Sequence, residues 1–169
     1  MVDTQLLNLV DLLIEKRRAQ HNATGYKSVC NSDHMCAILK EGVPISYGTN
    51  VFLTNGFVTE HAEAQALRKL CERMGRNPKK IKIDILVVRT NGAISKPCNR
   101  CINTMISLTD RFNINNIYYT DKLNDNGIRC VKFSKLANEE RHICSYDRNI
   151  KRRYCGNPAD SLRNIAIEC

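Results

Sequence analysis

Apolar residues change their spacing several times along this chain, and each change marks an element. Leu6, Leu9, Val10 and Leu13 recur at three- and four-residue steps behind Asp3 or Thr4, either of which can cap a helix, and the pattern runs out at Lys16-Arg17-Arg18. This predicts a first helix over residues 4–18, followed by a polar, aperiodic loop from Ala19 to Ser32. Met35 to Leu39 and Val43 to Tyr47 are short apolar runs separated by Lys40-Glu41-Gly42, the spacing of a tight hairpin. Pro44 has no N–H for a ladder, which places the second run at an edge or a strand start. A loop with a turn signal at Asn55-Gly56 then leads to His61. From there Ala66, Leu67, Leu70, Cys71 and Met74 form a stripe while Arg68, Lys69 and Arg73 fall on other faces, so a second helix runs from His61 to about Gly75.

After a basic loop, Ile83 to Val88 is almost uninterrupted apolar and β-branched, as in a central strand covered on both faces. Asn91-Gly92 turns the chain, and Pro97 precedes Cys98 at the start of a third helix expected to face Ile102, Met105 and Ile106 inward. Asn116 to Thr120 and Ile128 to Ser134 read as two further strands, separated by Asp121 to Gly127. Parallel neighbours need a crossover of about a dozen residues or more, so this short connection ending in Asn-Gly predicts an antiparallel hairpin. The tail from Lys135 carries short helical patterns around Ala137 to His142 and Asp160 to Ile167. Without repeats or linkers, residues 1–169 read as one domain, with a core over about 35–133 and a basic tail over 135–169.

Composition narrows the class. A chain of 169 residues, 43% hydrophobic and 25% charged, suits a soluble globular domain. No apolar run approaches the roughly 18 residues that span a bilayer, which excludes a membrane helix. Asp3 is the one charge ahead of the first apolar stripe, unlike a secretory leader, so a cytoplasmic setting is expected. Nine Cys, an odd number, then read as reduced thiols rather than a disulfide framework. The net charge of +9 is uneven: residues 61–120 hold 11 basic and 4 acidic side chains, hence +7 of the total. Such an excess attracts anionic partners, whether nucleotides or nucleic acid, or simply solvates a face; Arg148, Lys151, Arg152 and Arg153 extend the same choice to the tail.

The candidate chemistry lies in that basic middle third. His61-Ala62-Glu63 is answered by Pro97-Cys98-Asn99-Arg100-Cys101. One His and two Cys fill three of the four tetrahedral positions of a zinc ion and leave the fourth to water, the arithmetic of a catalytic site. Glu63, two places after a ligand, can reach that water and move protons without binding the metal. Both ligand groups fall at predicted helix starts, whose partial positive charge favours the thiolate that zinc requires. Two other sets, Cys30 with His34 and Cys36, and His142 with Cys144 and Cys155, lack a regular paired spacing, so ordinary burial or exposure is the better reading for each.

The H-x-E…P-C-x-x-C pattern is the signature of zinc-dependent base deaminases, and from about Met35 to Phe133 the chain resembles the cytidine deaminase-like superfamily. The resemblance implies an α/β fold, a three-layer α-β-α sandwich about a five-stranded mixed sheet. It implies Zn2+ on His61, Cys98 and Cys101, with Glu63 as the catalytic proton shuttle. The implied reaction is hydrolytic deamination of a cytosine-type base by zinc-activated hydroxide, the partner being a nucleoside, nucleotide or nucleic acid and the protein a homo-oligomer. Gly48-Thr49-Asn50-Val51 is similar to a family segment whose Asn touches the sugar, which implies Asn50, with Ala62, as substrate-binding. An antiparallel pair of last strands resembles the nucleoside cytidine deaminase branch and some RNA- and DNA-acting relatives, whereas tRNA adenosine and deoxycytidylate deaminases place a helix there. Nucleoside cytidine deaminases usually have Cys where this chain has His61, and an acidic residue where it has Phe52. The alternatives are a tRNA or RNA adenosine deaminase and a catalytically silent nucleic-acid-binding module with structural zinc.

Overall fold

Alternate residues of the central strand enter different layers. Ile83, Ile85 and Val87 join one apolar cluster, and Leu86 and Val88 join another. The computed structural model describes residues 4–24, 33–52, 59–75 and 79–139. In chain order the elements are α1 (Thr4–Thr24), β1 (His34–Lys40), β2 (Val43–Thr49), β3 (Val51–Phe52), β4 (Thr59–Glu60), α2 (Ala62–Met74), β5 (Ile81–Arg89), α3 (Asn99–Ser107), β6 (Phe112–Thr120), β7 (Ile128–Lys132) and α4 (Phe133–Asn138).

Five strands form one mixed sheet in the order β2-β1-β5-β6-β7, with β5 at its centre as expected. Only β5 and β6 run parallel, and α3 lies in the connection between them; the other neighbours are antiparallel, the β6–β7 hairpin included. On one face, Val10 and Leu13 of α1 pack on Met35, Ala37, Leu39, Leu86, Val88 and Ile128. On the other, α2, α3 and α4 cover Cys36, Ile38, Ile83, Ile85, Val87 and Ile117. This is the predicted three-layer sandwich. The β1–β2 hairpin turns on Glu41 (φ 53°) and Gly42 (φ 80°). Both residues are left-handed there, the conformation whose twist matches that of the flanking strands.

Several boundaries differ from the sequence reading. α1 runs on to Thr24 instead of stopping at Arg18. The apolar stripe does end where expected, but Arg17, Ala19 and Gln20 propagate a helix well without burial, and the Arg17 Nε ion pair with Asp33 (2.7 Å) anchors that turn. β7 ends at Lys132, and Phe133 opens α4, earlier than the helix expected from Ala137. Phe133 and Leu136, three apart, are both buried, which is a helical spacing rather than a strand alternation. Ile106 is 38% exposed, although Ile102 and Met105 are at 1% and 0%. It stands about 100° round the helix from Met105, where no layer covers it. The expected loop before His61 carries a small ribbon, pairing Val51 with Glu60 and Phe52 with Thr59. The Asn55-Gly56 turn, Cys30, the Phe52 side chain and the tail from Glu140 lie outside the described residues, and with that tail go its basic cluster, the Asp160–Ile167 helix, His142, Cys144 and Cys155.

Candidate metal centre

The first half of the site is the start of α2, and it is set by a backbone contact. Gly48 of β2 lies so close to this helix that a Cβ there would stand 2.0 Å from the Ala62 carbonyl oxygen and 2.6 Å from the Ala66 nitrogen. Side chains fasten the same contact. The Ser46 hydroxyl donates to the Ala66 carbonyl (2.8 Å), the Thr49 N–H donates to Gln65 Oε1 (3.0 Å), and the Ala62 N–H donates to Asn50 Oδ1 (3.0 Å). Asn50 thereby satisfies one of the orphan donors of the first helical turn, which His61, the residue at the cap position, leaves to others.

The second half is the start of α3, where Cys98 occupies the cap position and Cys101 the first turn. His61 Nδ1 lies 3.2 Å from Cys101 Sγ and 3.4 Å from Cys98 Sγ, and the two sulfurs are 3.7 Å apart. Tetrahedral zinc with ordinary Zn–S and Zn–N bonds requires about 3.8 Å between sulfurs and about 3.6 Å between nitrogen and sulfur. The donor set and its spacing therefore fit the metal, and the three residues are positioned to bind it. Among the described residues no second group of three or more His, Cys, Asp or Glu has this arrangement. Cys36 is an ordinary core residue, fully buried.

The metal-free electrostatics show how protons are held in the trio. The hydrogen bond from the Cys101 thiol holds Cys98 far below the usual thiol range, against the opposing effect of burial, and His61 adds a second hydrogen bond. Cys101 is pushed well up, first by that same bond to Cys98, then by burial and by Glu63. His61 is raised, chiefly by its hydrogen bond with Cys98, with burial opposing. A metal ion has to displace whatever protons His61 and the two thiols carry, since all three bind it unprotonated. Glu63 is 5% exposed, and it lies close enough to the trio to raise Cys101, His61 and Cys36 by its charge. The four residues of the sequence motif therefore meet, while Asn50 and Ala62 meet each other at the helix start beside them.

Two features had no signal in the sequence. Ser95 and Thr120, 2% and 3% exposed, form a buried hydroxyl pair between the ends of β5 and β6. Much of the basic excess of the middle third is engaged locally: Arg68 pairs with Glu60 and Glu72, Lys96 pairs with Glu139, and Arg73 and Arg111 donate to the carbonyls of Ile45 and Gly75. Lys79, Lys80 and Lys82 remain exposed ahead of and within β5. No helix among the described residues is long and apolar enough to cross a membrane.

Comparison with curated proteins returns no match. Among solved structures, cytidine deaminase from Burkholderia pseudomallei is 23% identical with a TM-score of 0.52, covering 75% of this chain and 94% of that one. The Mycobacterium leprae cytidine deaminase is 18% identical with a TM-score of 0.47, covering 76% and 97%. At 23% identity the likeness to the Burkholderia enzyme is one of fold. The cytidine and deoxycytidylate deaminase zinc-binding region matches residues 16–119, more than half of the chain and all of the metal trio, and the chain belongs to this family.

Proposed function

We propose that the protein is a hydrolytic deaminase of a cytosine-type base, free or within a nucleotide or nucleic acid. The observation that carries this reading is the burial of the Glu63 carboxylate against a His–Cys–Cys trio with zinc spacing, since a purely structural metal has no use for a buried proton carrier beside it. When bound, zinc supplies a Lewis acid that makes water a nucleophile near neutral pH. His61, Cys98 and Cys101 would hold it. Glu63 would take one proton from the attacking water and deliver it to the ring nitrogen, and would then pass the second, from the new C–OH group, to the departing amine, so that a C=O bond replaces the C–N bond and ammonia leaves. Ala62 and Asn50 are assigned to the substrate side. Because Asn50 Oδ1 holds the Ala62 N–H, the two link the position of the sugar to the first turn of α2.

The antiparallel β6–β7 pair supports cytosine over adenine, being the arrangement of the nucleoside cytidine deaminase branch. The exposed Lys79, Lys80 and Lys82 support an anionic form of the substrate, through long-range attraction. Ammonia release from a panel of cytidine, deoxycytidine, their phosphates, RNA, single-stranded DNA and adenosine tests the proposal. Release is expected from at least one cytosine compound and not from adenosine. Release from adenosine alone would move the reading to the adenine branch, and none from any compound, with zinc bound, would leave a binding module.

A further inference from the structure

Between β5 and α3 the chain has no regular secondary structure, yet it delivers Cys98 to within 3.4 Å of His61 Nδ1 and 3.7 Å of Cys101 Sγ. Something other than a helix or a ladder must set the register of that delivery. The parallel ladder of β5 and β6 closes at Val87 and Tyr119, and beyond it the two strands part to admit the loop. Ser95 sits in the fork. Its hydroxyl donates to the Val87 carbonyl (2.8 Å) and accepts the Thr120 N–H (2.9 Å), while its own N–H donates to the Thr120 carbonyl (2.9 Å). Thr120 completes the joint. Its Oγ1 accepts the Arg89 N–H (3.2 Å), and its proton has the Ala93 carbonyl (2.9 Å) and Ser95 Oγ (2.8 Å) as acceptors.

Two buried hydroxyls thus tie the ends of both parallel strands to two points of the loop. Between Ser95 and Cys98 stand only two residues, Lys96 and Pro97, and the ring of Pro97 fixes its φ. A shift of Ser95 in the fork is therefore transmitted to the sulfur of Cys98 with little chain to absorb it. We propose that Ser95 and Thr120 are positioning residues for the metal centre: the hydroxyl pair in the fork of β5 and β6 sets where Cys98 stands relative to His61. The inference rests on reading the trio as the zinc site, and it adds a role for two residues that touch neither metal nor substrate.

The test uses the full chain and three variants. Ser95→Ala and Thr120→Val each remove one hydroxyl, and Thr120→Ser keeps it. Zinc affinity by chelator competition, the visible spectrum of the Co2+-loaded protein and the melting temperature of the metal-free protein are measured for each. Positioning predicts that zinc affinity drops about tenfold or more in the two hydroxyl-free variants, the effect of losing a support around a ligand. The cobalt bands shift with it, and Thr120→Ser retains the parent affinity and spectrum. A purely structural role lowers the melting temperature and moves neither metal readout, and that result overturns the proposal. Failure of both hydroxyl-free variants to fold also overturns it, placing the pair in the fold rather than in the site. If the parent protein itself binds no zinc, it is the reading of the trio that fails.

Discussion

The two halves of the metal centre are held by different means. The α2 half rests on a backbone contact: β2 touches the helix at Gly48, where a Cβ would meet the Ala62 carbonyl oxygen at 2.0 Å. The α3 half is packed through Ile102 and Met105, and the loop that leads to it is fastened by the hydrogen bonds of Ser95 and Thr120. The difference follows what each half carries. α2 presents a metal-binding residue and the carboxylate proposed to carry protons two residues apart, so on that reading an error in its placement disturbs binding and chemistry together. α3 presents two thiols that need only reach the metal, and a hydrogen-bonded loop is sufficient for that. Packing against backbone is the stiffer device, because neither side has a rotamer through which to yield.

The largest expected effect separates the two tasks of the α2 half. Glu63→Ala is expected to lower turnover by about 10²- to 10⁴-fold, the usual contribution of a general acid–base group, while the protein keeps its zinc. Turnover and metal content measured on one preparation decide this, and loss of zinc would make Glu63 part of the ligand set. Next, Gly48→Val drives a side chain into the α2 backbone. It is expected to cost about 3 kcal/mol or more in denaturant unfolding, at the upper end for overpacking, and to lower zinc content in whatever remains folded. An unchanged midpoint with full zinc would show that the α2 half is not set by this contact.

The dependence of zinc binding on pH draws on both halves equally. His61 and Cys101 have raised pKa values, so each holds its proton to a higher pH than the free group does, whereas Cys98 is held low. Zinc needs all three unprotonated, so the protons that His61 and Cys101 hold have to leave. Affinity therefore rises with pH and falls as the pH drops, by up to about tenfold per pH unit for each proton displaced. Chelator competition between about pH 6 and 8 reads this slope, and a flat profile would contradict the proton inventory. The smallest expected effect is that of Gln65→Ala, which strips the Thr49 N–H of its partner. A loss of about 1–2 kcal/mol with zinc retained is expected, as for one buried hydrogen bond, and denaturant unfolding measures it.

What the sequence revealed and what it hid divide along the range of the interactions. The metal trio His61, Cys98 and Cys101 was legible because a zinc site demands those residue types, and the short spacings put His61 at one helix start and the two Cys at another. The hairpins were legible from Glu41-Gly42 and from the short Asp121–Gly127 connection, and the central strand from its unbroken apolar run. The end of α1 was hidden, because polar residues with good helix propensity continue a helix after its buried stripe has stopped. The β7–α4 junction was hidden because a single pair three apart, Phe133 and Leu136, is too short a pattern to mark where the strand gives way to a helix. Ser95 and Thr120 lie twenty-five positions apart, and no local pattern distinguishes a buried hydroxyl in a fork from one facing solvent. Gly48 was noticed through a resemblance, but only the approach of α2 explains why no side chain fits there.

The central claim is that the buried carboxylate beside the trio serves hydrolysis of an amino base. The most direct measurement incubates the zinc-loaded protein with the cytosine panel in heavy-oxygen water and weighs the product by mass spectrometry. The account predicts a uracil-type product with one amine replaced by one solvent oxygen, formed by the parent protein and not by Glu63→Ala. Product without the solvent label, or equal product from the two proteins, would contradict it.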